Sequence, residues 1–324
     1  MSRVSRRSSL IGIILFLSGI APAPAAEPKF ELVMIIGSEG VSGGQFKYVE
    51  DFAFSREGYL LVTDASHAWV QVFHESGYYL GRFGGKGDED HKLEKPEGIA
   101  VDPDGNVFVA DYLTGFIKKY DPSYKWLQTF SEYGSGKGQN IKSEFMDIYE
   151  GRLYMADAGN HRVDVFDLDG KFLFDFGGLG SGPGQLNTPE AAKVNSEGKV
   201  YVSDLKNDRV QIFDKDGKFL SSIGRSGTAP GEFRAPAGIA FDKDDNVYVT
   251  EIGNDRVQVF DKNGKALTAW GRKGSGPGEF GNLHGIIVDK RTGKVYVADT
   301  ANHRIQVFRP VTQQTDASGA AGKR

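Results

Sequence analysis

Four glutamates and a histidine recur along this chain at nearly equal steps. Glu50, Glu97, Glu144 and Glu190 are followed by Ala237 and then His284, at intervals of 47, 47, 46, 47 and 47 residues. Carboxylates and an imidazole brought to a common axis can share a divalent cation, with carboxylate oxygens at ~2.3–2.6 Å for calcium. Zinc accepts the same ligand types. The expected cofactor is therefore a calcium or zinc ion, with Glu97, Glu190 and His284 as its metal ligands, or none at all.

A second constellation repeats in phase with the first. An acid precedes an arginine by five residues in Asp157/Arg162, Asp204/Arg209, Glu251/Arg256 and Asp299/Arg304. Such a pair can close a loop with a charge-assisted hydrogen bond. The intervening Asn160, Asn207, Asn254 and Asn302 suit a tight turn. Catalysis would require one copy to differ; these four agree, so they read as structural joints. The first two copies put Trp69 and Phe116 where the arginine belongs. Trp69, Tyr112 and Phe116 are accordingly the aromatic candidates for ligand contact.

Other motifs carry less. The "DLDG" and "DKDG" turns lack the remaining ligands and closing glutamate of a calcium loop. Gly178-Leu-Gly180-Ser-Gly182 precedes no helix whose N-terminus would hold a phosphate. His161 and His303 lie in the repeated joints, His67, His74 and His91 are scattered, and no Ser–His–Asp set is identifiable.

The elements that must position these residues follow from the period. The joint phrase occurs six times, from Asp64, Asp111, Asp157, Asp204, Glu251 and Asp299, and a period that regular marks a repeat architecture. Each unit holds short alternating runs of β-branched and aromatic residues between turns such as "NSEG" and "DKDG", the pattern of hairpin-linked strands. Six units of four antiparallel strands predict an all-β fold, a six-bladed β-propeller. The last unit supplies only three strands. "FELVMIIG" ends at Gly37, 47 residues before Gly84 of the first unit, and so lies in phase as the missing strand. Pairing it into the last blade closes the ring and hides a sheet edge. The acids and histidine then stand just before each innermost strand, where it enters the central channel. They share a face with the second-to-third-strand loops, while the opposite face has short turns with little room for chemistry.

"VADTANHRIQVF", "PEGIAVDPDGNVFVAD" and "GSGPGEF" resemble NHL repeats, and the likeness covers residues 30–308. It implies the same six-bladed propeller and leaves function open, since the fold hosts amidating lyases, lactonases, RNA-binding modules and receptor domains. More distantly the chain resembles the peptidyl-α-hydroxyglycine amidating lyases, which place zinc-binding histidines at this channel position in alternate blades. Only His284 matches; Glu97 and Glu190 stand at the alternate places and would make a different site.

Composition bounds the rest. Residues 1–26 read as a secretory signal peptide: Arg3, Arg6 and Arg7, an apolar stretch from Leu10 to Ile20, and Ala23 and Ala25 at a small-residue cleavage site. The propeller is expected over 27–308 and a disordered tail over 309–324. Losing three arginines takes the net charge from −4 to −7. An acidic body is a poor partner for nucleic acid. No membrane span is expected after cleavage, and the mature chain reads as a periplasmic or secreted monomer. The function these features favour is a binding module gripping a peptide, protein or glycan on its loop face. A metal-dependent lyase or hydrolase at the channel mouth is the alternative.

Overall fold

The structure, a computed structural model, describes residues 29–311; the expected signal peptide, 1–26, and most of the expected tail lie outside the described residues. Strand follows strand, interrupted among the described residues only by turns and by three short 3₁₀ segments, Ala65–His67, Leu205–Asn207 and Thr300–Asn302. Each repeat folds as an antiparallel run of four. The first is Val49–Phe54, Leu60–Asp64, Trp69–Phe73 and Tyr79–Gly84, hydrogen-bonded in that order. Repeats three and four merge into one eight-stranded sheet through a single parallel bridge, Phe145 to Ala191.

Repeat six orders as Leu283–Val288, Val295–Asp299, Arg304–Val311 and then Lys29–Ile36 from the far end of the chain. The two terminal segments pair antiparallel from Lys29 opposite Val311 to Ile36 opposite Ile305. This corrects the expected tail boundary, because Arg309–Val311 continue the strand. Their partners Glu31, Phe30 and Lys29 supply the ladder that holds them.

The core lies between sheets. Each hydrophobic cluster joins consecutive repeats, and one unites Phe46, Phe52 and Val62 of repeat one with Tyr296 and Val307 of repeat six. Hydroxyls on the second strands, or just beyond them, stitch the inner edges together. Thr63 Oγ1 donates to the Glu97 carbonyl at 2.7 Å, Ser203 Oγ to Ala237 at 2.6 Å and Thr250 Oγ1 to His284 at 2.5 Å. Thr300 Oγ1 donates to Val49 at 2.7 Å, carrying repeat six onto repeat one. The approach there is close: a Cβ on Gly285 would sit 2.1 Å from the Glu50 carbonyl oxygen, so only glycine fits.

Candidate functional site

Every innermost strand changes register with its neighbour near its start, as between Val49 and Phe52 or Leu283 and Ile286. An irregularity of this kind re-aims the side chains beside it. Glu50, Glu97, Glu144, Glu190, Ala237 and His284 occupy it, as the second residue of each innermost strand rather than the residue before it.

All five ionisable side chains are buried, at exposures of 1% for Glu50 to 8% for His284. Burial in low dielectric disfavours charge. It lifts Glu50 and Glu144 well above the ordinary carboxylate range, helped by the neighbouring carboxyls, and Glu190 to about 8. The adjacent Glu97 raises Glu144 further, while Glu144 lowers Glu97. Burial raises Glu97 as well, against the pull of the Lys95 ammonium, whose Nζ lies 2.5 Å from Glu97 Oε1. His284 is pushed down to about 4, first by burial and then by Lys95. Its Nδ1 lies 3.2 Å from Thr300 Oγ1 and 3.5 Å from Glu50 Oε2. Since the Thr300 hydrogen goes to Val49, Nδ1 donates and Nε2 is the unprotonated nitrogen. The His284–Glu50 contact is thus between neutral groups. Glu50 Oε2 and Glu144 Oε2 are buried without any hydrogen-bond partner.

Two residues of the mouth escape a reading of the glutamate column alone: Tyr48 and Lys95. Both stand two residues before a column glutamate, at places held by Lys142, Thr188, Ala235 and Asn282 in the other repeats. Variation within that column is the signal that finds them. Lys95 Nζ lies 3.8 Å from the Tyr112 ring centroid and 6.0 Å from that of Tyr48. Asn282 Nδ2 donates to Tyr48 Oη at 3.4 Å. Burial pushes the Tyr48 phenol up to about 12 and raises Tyr112 too.

Of the three aromatic candidates, only Tyr112 joins this mouth. Trp69 is covered by its own repeat, stacked on His67 at 4.4 Å and capped by the Arg82 guanidinium at 3.5 Å. Phe116 has Lys118 Nζ 5.9 Å from its ring and no place in the carboxyl cluster. The metal set also needs correction. Among the described residues no three His, Cys, Asp or Glu side chains gather closely enough to hold a metal ion. Glu97 is already paired with Lys95, and the remaining carboxyls are held toward their neutral forms.

The joints show why their phrase recurs. Arg209 Nε donates to Asp204 Oδ2 at 2.8 Å, Arg256 Nε to Glu251 Oε1 at 2.5 Å and Arg304 Nε to Asp299 Oδ2 at 2.6 Å. Their terminal nitrogens bind carbonyls of the glycine-rich link, as Arg209 does at Ser181, Gly182 and Gln185. Asn207 Nδ2 bridges Asp204 to the Gly180 carbonyl. The left-handed turn residue is the one after each asparagine, including Asp208 at φ 53° and His303 at φ 54°. Repeat three departs. Asp164 replaces the glutamine found at Gln71, Gln211, Gln258 and Gln306, and Arg162 Nε donates to it at 3.0 Å, staying 3.5 Å from Asp157.

The opposite face has more room than its short turns suggested. A cavity of about 710 Å³ opens there, walled by Phe52, Ile99, Ile239 and Ile286 and floored by Lys193 and Asp147. Lys193 Nζ spans the channel from repeat four to Asp51 Oδ2 in repeat one, 2.9 Å away, and donates to the Met146 carbonyl at 2.9 Å. Asp147 accepts the Ile148 and Val194 amides, both at 2.8 Å. The free edges of the innermost strands face the channel, and these side chains satisfy part of them.

Comparison with known proteins agrees with this geometry. A family described as "6-bladed beta-propeller" matches residues 185–257 and 244–311, and the NHL repeat matches 93–120. "Protein brain tumor" of Drosophila melanogaster is 29% identical over 143 residues, 44% of this chain and 13% of that protein. "RING finger protein nhl-1" of Caenorhabditis elegans is 55% identical over 38 residues, 12% of this chain and 4% of that protein. The chain thus spans only a small part of the length of these relatives. A solved protein of unknown function from Bacteroides thetaiotaomicron superposes with TM-score 0.68 at 17% identity, over 88% of this chain and 77% of that one. Virginiamycin B lyase from Staphylococcus aureus superposes with TM-score 0.62 at 12% identity, over 88% of this chain and all of that one. At such identities the likeness is one of fold. Repeated joint phrase, four-stranded antiparallel sheets and matched repeat together make the fold of this chain a β-propeller that contains an NHL repeat at 93–120.

Proposed function

We propose that the six repeats close into a six-bladed ring and that the exported chain is a binding propeller, gripping a peptide or protein on its loop face. The observation that carries this reading is the channel mouth. Side chains from five repeats converge there with Tyr48, Tyr112 and Lys95, and buried acceptors remain unmatched. Buried polar groups without partners cost free energy that an incoming donor recovers. The NHL relatives, named as a brain tumor protein and a RING finger protein, are consistent with interaction work. The acidic charge of the chain argues against nucleic acid.

Panning a displayed random-peptide library against the full chain tests the reading. Enriched peptides are expected to lose binding with Tyr112→Ala and keep it with Ser196→Ala on the opposite face. Failure to enrich any peptide, or a glycan array giving the only hits, overturns it in favour of another ligand. The neutral His284–Glu50 pair favours a second reading, acid–base chemistry in a lyase or hydrolase. Stoichiometric metal in protein purified without chelator, with a melt lowered by EDTA, would put that reading first.

A further inference from the structure

We propose that the mouth receives the side-chain ammonium of a lysine on the partner peptide, which the chain's own Lys95 imitates. The inference rests on the reading of the loop face as a peptide-binding surface and names what that surface recognises. Lys95 shows the mouth's preference directly. Its ammonium sits on Glu97 at 2.5 Å and over the Tyr112 ring at 3.8 Å, the carboxylate-and-aromatic setting that attracts an organic cation. Yet Lys95 serves one carboxylate of four. Glu50 Oε2 and Glu144 Oε2, in side chains 1% and 5% exposed, accept no hydrogen bond among the described residues, His284 Nδ1 standing off from Glu50 Oε2 at 3.5 Å.

The layout of these oxygens selects the cation. A divalent metal needs several ligands at one point, and the described residues gather no such set. A guanidinium is best matched by one carboxylate presenting both oxygens to its fork. An ammonium carries three donors with free rotation and can meet single oxygens coming from different strands. Glu50 of repeat one and Glu144 of repeat three offer such oxygens; an arriving cation favours their ionised forms, so the protons they hold in the empty mouth pass to water as the ammonium binds.

The test uses the full chain and the peptides that panning enriches, each resynthesised with every lysine replaced in turn by norleucine. One lysine position is expected to lose about tenfold or more in affinity, the scale of a charged hydrogen bond. The paired Glu50→Gln and Glu144→Gln variant should lose a similar factor for the lysine peptide and almost none for the norleucine one. Glutamine keeps the shape, and a melting curve of each variant checks folding. Peptides that bind equally well with norleucine, or that prefer arginine, overturn the ammonium assignment and leave the binding function standing. Binding that needs added calcium or zinc overturns it in favour of a metal bridge. If no peptide is enriched, the binding reading fails first. N-acetyl-lysine methylamide is then compared with its norleucine analogue by thermal melting, and equal melts overturn the ammonium site on its own terms.

Discussion

At the scale of single residues, the joints and the mouth use similar groups for opposite ends. A joint acid is fully satisfied: Asp204 accepts from Arg209, Asn207, Gln211 and the Asn187 amide. Removing Arg209 strands a buried carboxylate, so Arg209→Ala should cost about 1–3 kcal/mol in chemical denaturation while leaving peptide affinity alone. Burial holds the mouth carboxyls other than Glu97 toward their neutral forms. Glu190 has its folded value raised from 4.5 to about 8, so its contribution is full below pH 4.5 and is lost as pH rises to about 8. His284, lowered from 6.5 to about 4, contributes fully above pH 6.5 and loses that contribution as pH falls to about 4. Melting the wild type against Glu190→Gln should therefore show the variant gaining relative stability as pH climbs from 4.5 to 8. His284→Gln should show its relative gain on the acid side instead. A Glu190→Gln difference that does not vary with pH would mean the carboxyl is solvated.

At the scale of the element, the innermost strand decides what the fold can do. Its register shift places one side chain per repeat at the channel, and the 47-residue period makes that column legible in the sequence. The joints are legible for the same reason, because repetition marks what every repeat needs. Tyr48 and Lys95 are not legible from repetition, since their column reads Tyr, Lys, Lys, Thr, Ala and Asn, and only its variation marks it. Nor is the Asp51–Lys193 bridge, which joins positions 142 residues apart from opposite parts of the array. Asp164 shows the limit within one repeat: a single change from glutamine redirects Arg162 away from its phrase partner. The edge hydroxyls give a sharp test of how the ends meet. Thr300→Val removes the bond to Val49 while keeping shape, and should destabilise by about 1–3 kcal/mol. Deleting Lys29–Ile36 bares the Arg304–Val311 strand as an edge and should give aggregation in light scattering. A soluble monomer melting like the parent would show that the last repeat needs no fourth strand.

At the scale of the whole molecule, the Lys193–Asp51 bridge crosses the channel between two ends of different character. The loop-face mouth gathers carboxyls, while the opposite cavity sets aliphatic walls among charged groups such as Lys193, Asp147, Asp289 and Arg291. The bridge also ties repeat four to repeat one, so it braces the array across its middle. Asp51 is wholly buried, with its Oδ1 unpartnered, and burial raises its carboxyl against the pull of Lys193. Taking away Lys193 leaves that carboxyl without its cation, and breaking one partner of a buried pair costs about 3–5 kcal/mol. Lys193→Met should therefore destabilise strongly at pH 7. The loss should shrink as pH falls, because without Lys193 the folded value of Asp51 rises further and the protonated form needs no cation. Adding Asp51→Asn should restore most of the stability at pH 7, since no buried charge then remains. Binding at the loop face should survive in the double variant, because the side-chain contacts of both residues lie away from the mouth. Denaturant melts at pH 5 and 7, with peptide titrations on the double variant, read all three outcomes. A Lys193→Met loss that is small, or equal at both pH values, would mean water rather than Lys193 neutralises Asp51.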